Sequence, residues 1–185
     1  MQVRTERLLL RELEESDAPA CNEYERDPEV VRWQSNDTRT LPESLEYIRK
    51  SRLSIDASPR RTFDLAVVLR GEDRLIGRAG LHVTEPGIRE GTLWYVLHPS
   101  CWGKGYIPEA MTALVDHGFG PLGLHRLFVD CDPANGASAR VAEKLGMRRE
   151  AHFLEYARIK GAWADTLIYA MLDREWKARR AGKTA

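Results

Sequence analysis

Apolar and polar positions change their period several times along this chain, and each change marks an element. Residues 6–13 carry Leu8-Leu9-Leu10 between arginines and read as a strand. Ser16-Asp17 then offers a helix N-cap with Pro19 acceptable in the first turn, which predicts a helix through Tyr24. Gln34 to Thr40 is polar and loop-like. Behind Leu41-Pro42-Glu43, the residues Leu45, Ile48 and Leu53 recur at roughly helical spacing and predict a second helix.

The middle of the chain is strand-rich. Thr62 to Leu69 and Leu75 to Val83 are β-prone runs joined by the turn Arg70-Gly71-Glu72-Asp73, an antiparallel hairpin. Glu85-Pro86-Gly87 is another turn, and Gly91 to His98 is a third strand that stops at Pro99. Helical spacing returns from Pro108 to Phe119, ended by Gly120-Pro121. Leu124 to Cys131 reads as a strand, Ala137 to Leu145 as a helix stopped by Gly146, and Arg149 to Lys160 with Trp163 to Leu172 as two strands about the Gly161 turn. The order β-α-α-β-β-β-α-β-α-β-β places the chain among α/β (α+β) folds with helices packed on a mixed sheet.

Bulk properties narrow the function. A chain of 185 residues suits one domain, here 1–176, followed by the basic stretch 177–185, which is expected to fray. Lys plus Arg number 28 and Asp plus Glu 28, so no global field favours nucleic acid or an anionic membrane. Arg179-Arg180 and Lys183 are too short a basic run to carry a nucleic-acid role. No stretch approaches the ~20 apolar residues of a membrane span, and residues 1–17 lack the features of a secretory signal, so a cytoplasmic protein is expected. Cys21, Cys101 and Cys131, with five histidines, show no metal-ligand spacing and no disulfide framework, so no metal is expected.

The candidate chemistry sits between the third strand of the meander and the helix after it. Tyr95-Val96-Leu97-His98-Pro99-Ser100-Cys101-Trp102-Gly103-Lys104-Gly105-Tyr106-Ile107-Pro108 places two glycines where a strand ends and a helix begins. Unhindered backbone there can turn several N–H groups toward one point, and the helix N-terminus adds partial positive charge, which suits a pyrophosphate. Lys104 could add a cation at the rim. A tight turn with no ligand uses glycines equally well. The spacing matches neither a dinucleotide fingerprint nor a P-loop.

Segments on both sides of this loop make it specific. Arg4-Thr5-Glu6-Arg7-Leu8-Leu9-Leu10-Arg11, Ile76-Gly77, Trp102-Gly103-Lys104-Gly105-Tyr106 with Glu109-Ala110, Asn135 with Ser138, and Glu143-Lys144-Leu145-Gly146-Met147 occur in one order over nearly the whole chain. Together they resemble the GCN5-related N-acetyltransferase family, in its branch of ribosomal-protein-alanine-type enzymes. The resemblance implies a mostly antiparallel twisted sheet of about seven strands with about four helices. It also implies an N-acetyltransferase that moves the acetyl group of acetyl-CoA to a primary amine, on a protein N-terminus or a small molecule, by direct attack in a ternary complex. A homodimer is a further implication.

By the same resemblance Trp102, Gly103, Lys104, Gly105, Tyr106, Ile107 and Pro108 hold the cofactor's pyrophosphate. Val96 and Leu97 make oxyanion and pantetheine contacts, Asn135 meets the CoA arm and Ser138 lies near its sulfur. Asn135 also reads as a helix cap, and Ser138 as the acid for the departing thiolate. Pro108 lacks an N–H, which removes one phosphate donor. The branch has glutamate as base where this chain has Thr92. Glu90, on the same strand face, is the first replacement, with Glu150 and Glu155 as alternatives. The acceptor pocket is expected near Trp33, Asn36, Tyr47, Tyr156 and Trp163. An acyl-CoA-binding regulatory or scaffold domain without turnover is the alternative to an enzyme.

Overall fold

The computed structural model describes residues 1–182. Strands β1 (Gln2–Arg4), β2 (Leu8–Glu12), β3 (Thr62–Leu69), β4 (Arg74–Glu85), β5 (Glu90–Leu97), β6 (Arg126–Cys131), β7 (Arg148–Ile159) and β8 (Ala162–Leu172) form one sheet in the order β1-β2-β3-β4-β5-β6-β8-β7. Every neighbouring pair is antiparallel except β5 and β6. The helices are α1 (Ala18–Glu25), α2 (Pro28–Val31), α3 (Leu41–Arg52), α4 (Tyr106–Phe119), α5 (Gly136–Leu145) and α6 (Asp173–Ala181).

Helices cover both faces of the central strands, so β3 is buried along almost its whole length and reads as a continuous apolar run. Strand alternation divides its side chains between two cores. Leu65 and Val67 join Leu81, Leu93, Met111, Leu114 and Leu145 on the α4 and α5 face. Ala66 and Val68 join Leu13, Tyr24, Ile48 and Val96 on the α1 and α3 face.

That second core encloses ions. Arg78 on β4 is 4% exposed, and its guanidinium reaches Glu25 on α1 at 2.5 Å and Asp64 on β3 at 3.1 Å. Glu25 also accepts from Ser44 at 2.8 Å and pairs with Arg39 at 2.9 Å, while the Tyr47 hydroxyl donates to Asp64 at 2.7 Å. Each carboxylate is met by several donors, the condition under which buried charge is tolerated.

Several boundaries differ from the sequence expectation for physical reasons. The strand expected within residues 6–13 is β2, and an additional strand precedes it, β1, a three-residue edge piece too brief to show alternation. A single extra turn, α2, is capped by the Asp27 side chain on the Glu29 N–H at 2.9 Å. Fraying from Lys177 is corrected as far as Ala181, because this segment belongs to α6. Trp176 anchors it, buried, with its indole N–H donating to Asp116 on α4 at 2.8 Å. The rest of that expectation, residues 183–185, lies outside the described residues.

Candidate functional site

β5 and β6 pair only from Glu90↔Arg126 to Thr92↔Phe128. Beyond Thr92 they separate, and a cavity of about 640 Å³ opens where the ladder stops. That volume falls in the range of small-molecule and cofactor sites. Tyr95, Val96 and Leu97 form one wall, the glycine loop and the start of α4 a second, and residues 134–144 around α5 a third.

Backbone direction on the first wall follows from one bond. His98 N–H donates to the Ile76 carbonyl at 2.8 Å. In an antiparallel pair alternate residues face the partner strand. The backbone groups of Val96 therefore face Arg78 on β4, while those of Tyr95 and Leu97 face the open side. The Leu97 carbonyl accepts the Trp102 indole N–H at 2.9 Å, and the Tyr95 carbonyl accepts the Gln34 amide at 3.5 Å. Tyr95 N–H and Leu97 N–H are thus the donors turned toward the cavity. Val96, expected as an oxyanion contact, lines the cavity but its N–H belongs to the β4 ladder.

The second wall needs glycine. Gly103 and Gly105 have φ of 75° and 80°, left-handed values that strain any residue with a Cβ. Gly105 is the N-cap of α4, which starts two residues earlier than the expected Pro108. Tyr106 and Ile107 therefore contribute first-turn N–H groups with no partner inside the helix, and Pro108 occupies a position whose N–H would also have been free. Trp102, Gly103, Gly105, Tyr106, Ile107 and Pro108 all line the cavity. Lys104 does not. Its side chain is exposed, and its carbonyl accepts from Arg7 at 3.0 Å.

The loop is tied to the far edge of the sheet. Glu109 in the first turn of α4 accepts from Thr5 Oγ1 at 2.5 Å, Arg7 N–H at 2.8 Å and Arg7 Nε at 2.7 Å. Burial pushes the Glu109 carboxyl up, but these hydrogen bonds and the Arg7 charge outweigh it and hold the pKa below its ordinary value. Arg7 also lies over the Tyr106 ring at 4.6 Å. Arg7 and Glu109 together brace the loop.

On the third wall Asn135 caps α5, its side-chain oxygen accepting the Ser138 N–H at 3.2 Å. Such a cap contributes about 1 kcal/mol. Ser138 Oγ accepts the Tyr95 phenol O–H at 2.9 Å, across the gap between β5 and α5. Burial pushes the Tyr95 phenol up to about 12. Arg140 and Lys144, exposed on α5, face the same cavity and were not singled out from sequence. Their four-residue spacing on the helix capped by Asn135 was the available signal.

Glu90 requires a correction. It shares a face with Val96, as alternation dictates, but lies six residues away, roughly 20 Å at about 3.3 Å per residue. It does not line the cavity, and its carboxylate pairs with Arg126 at 2.9 Å. Glu150 pairs with the same arginine at 2.7 Å, and Glu155 is exposed on β7, away from the cavity. Among the described residues, the carboxylate that lines the cavity is Glu29 on α2, with Trp33 and Gln34 just beyond. Of the other expected acceptor residues, Asn36 and Tyr47 border a neighbouring shallow depression, and Tyr156 and Trp163 are exposed on the β7–β8 hairpin. No group of three or more metal-ligating side chains occurs among the described residues. No helix among them is long and apolar enough to cross a membrane.

A sheet parted at one strand pair, beside a glycine-capped helix N-terminus and a basic helix face, has the form of a transferase that grips a phosphorylated acyl carrier. The family model for the acetyltransferase (GNAT) domain matches residues 7–148. The chain is 34% identical over 182 residues to the uncharacterized N-acetyltransferase YnaD of Bacillus subtilis, covering 95% of this chain and 99% of that protein. It is 27% identical over 110 residues to the ribosomal protein uS5-alanine N-acetyltransferase of Escherichia coli, covering 59% of this chain and 57% of that one. A solved GNAT-family acetyltransferase from Bacillus anthracis superposes with a TM-score of 0.85 at 32% identity, over 95% of this chain and 100% of that one. The chain belongs to the GNAT acetyltransferase family and is an acetyl-CoA-dependent N-acetyltransferase. Nothing in these relatives supports a scaffold without turnover.

Proposed function

We propose that this enzyme moves the acetyl group to a primary amine, on a protein N-terminus or a small molecule, by direct attack in a ternary complex at the parted end of β5. The observation that carries the reading is the open side of Tyr95 and Leu97, facing the same cavity as the loop and Ser138.

The acetyl-CoA pyrophosphate rests against the N–H groups at the start of α4, with Arg140 and Lys144 balancing its charge. The thioester carbonyl turns toward the Tyr95 and Leu97 N–H groups, which stabilise the oxyanion that forms on attack. Ser138 O–H meets the departing sulfur. Glu29 draws the ammonium form of the acceptor to the mouth and takes its proton directly or through water, and holding both reactants in one cleft supplies much of the rate.

Free thiol released from acetyl-CoA, followed with peptides beginning in alanine or serine and with spermidine, tests the proposal. Acceptor-dependent release, with a product heavier by one acetyl group, is the expected result. Tight acetyl-CoA binding with no release above background for any of these amines would overturn the acceptor class.

A further inference from the structure

The Ser138 side chain is held from two directions. Its backbone N–H is capped by Asn135, and its Oγ accepts the Tyr95 O–H at 2.9 Å from a strand 43 residues earlier in the chain. A hydroxyl has one hydrogen to donate and two lone pairs with which to accept. The phenol stays protonated through the neutral range, because burial lifts it to about 12. The phenol is therefore the donor toward Oγ, and the serine's own hydrogen must point away from it. Ser138 lines the cavity, and the cavity is where that hydrogen can go.

We propose that Tyr95 is a positioning residue for acetyl transfer, whose phenol occupies a lone pair of Ser138 Oγ and turns the serine's hydrogen toward the sulfur of the acyl donor. This rests on the placement of acetyl-CoA given above. As the carbon–nitrogen bond forms, the carbon–sulfur bond breaks and its electron pair goes to sulfur. Ser138 O–H donates to that sulfur while the charge builds. Nitrogen gives its proton to Glu29 or water, and the thiolate, held by the Ser138 hydrogen bond, takes one proton from water, leaving a neutral amide, a thiol and an intact serine hydroxyl. In this role the Tyr95 phenol acts only through Ser138 and keeps its proton, while the backbone N–H of the same residue serves the oxyanion. It removes the rotational freedom of a hydroxyl that would otherwise be shared among several acceptors.

The test is a cycle of Y95F, S138A and the double variant, assayed with acetyl-CoA and the best amine of the panel above. Y95F keeps the ring and removes only the O–H. Acetyl-CoA affinity by calorimetry is expected to stay within about twofold, KM for the amine to stay unchanged, and kcat to fall about tenfold. In the S138A background the Tyr95→Phe change is expected to cost nothing further, because the hydroxyl it orients is gone. A full tenfold loss on top of S138A would mean that Tyr95 acts through packing or on substrate, and an unchanged kcat in Y95F would mean that it does nothing for the reaction. Either result overturns the proposal. Failure of the wild-type protein to bind acetyl-CoA would instead remove the cofactor placement beneath it, and calorimetry reads that separately.

Discussion

The two ends of β5 do opposite work. At its start, Glu90 and Thr92 lie in ladder with β6, and the Glu90 carboxylate belongs to an ion-paired cluster with Arg126 and Glu150. At its end, Tyr95 and Leu97 have lost the β6 neighbour, and their backbone groups face a cavity. The strand has one hydrogen-bonding chemistry throughout, and only the presence or absence of a partner differs. Unpaired backbone groups must find another partner, and a strand that parts from its neighbour holds them ready for a ligand. Polar side chains at the closed end are consumed by structure, which is why a carboxylate there is a poor base candidate.

The largest expected effect lies beneath the open end, where Arg78 stands opposite Val96. Arg78→Met leaves Asp64 buried without a cation and Glu25 with Arg39 alone, and urea unfolding should lose about 3–5 kcal/mol. A loss under about 1 kcal/mol would show that the open end does not depend on this network. Next comes Gly105→Val, which puts a β-branched residue at φ 80° in the cap of α4. Acetyl-CoA affinity should fall at least about tenfold by calorimetry, with a smaller change in melting temperature. Unchanged affinity would mean that the loop does not hold the pyrophosphate.

Acid offers a third measurement. The Glu109 carboxyl is held below its ordinary value of 4.5, so the brace between the loop and Arg7 is fully formed above that pH. Its contribution is lost as pH falls through the lowered folded value. Wild-type protein should therefore lose more stability between neutrality and strong acid than Glu109→Gln, and parallel curves would contradict this. The smallest effect should be Glu90→Gln, with kcat within about twofold and a stability loss of ~1 kcal/mol or less. A tenfold fall in kcat would make the closed end catalytic after all and dissolve the contrast.

Much of this molecule is legible without a structure because it depends on neighbours in sequence. The β3–β4 hairpin and the α5 helix between Asn135 and Gly146 follow from alternation, turn residues and capping, interactions that close within a few positions. The Gly103 and Gly105 turns belong with them, since positive φ is a demand a glycine signals by itself. The α6 helix was missed because its basic exterior resembles a frayed tail, and only the burial of Trp176 against Asp116 reveals an anchor. Glu90 was misplaced because period two reports a face and carries no information on distance from a cavity.

What the sequence by itself determined is the order of elements, the glycine-capped start of α4 and the acetyltransferase family, all written in local chemistry and in motifs in fixed order. What only the tertiary structure decided is where β5 leaves β6, which N–H groups that exposes, and which side chains meet there. Tyr95 and Ser138 share a hydrogen bond, Arg140 and Lys144 share a cavity with the loop, and Glu90 is drawn off by Arg126. Those outcomes depend on how strands and helices far apart in the chain pack together, and packing is set by the whole core, which no single stretch of residues encodes.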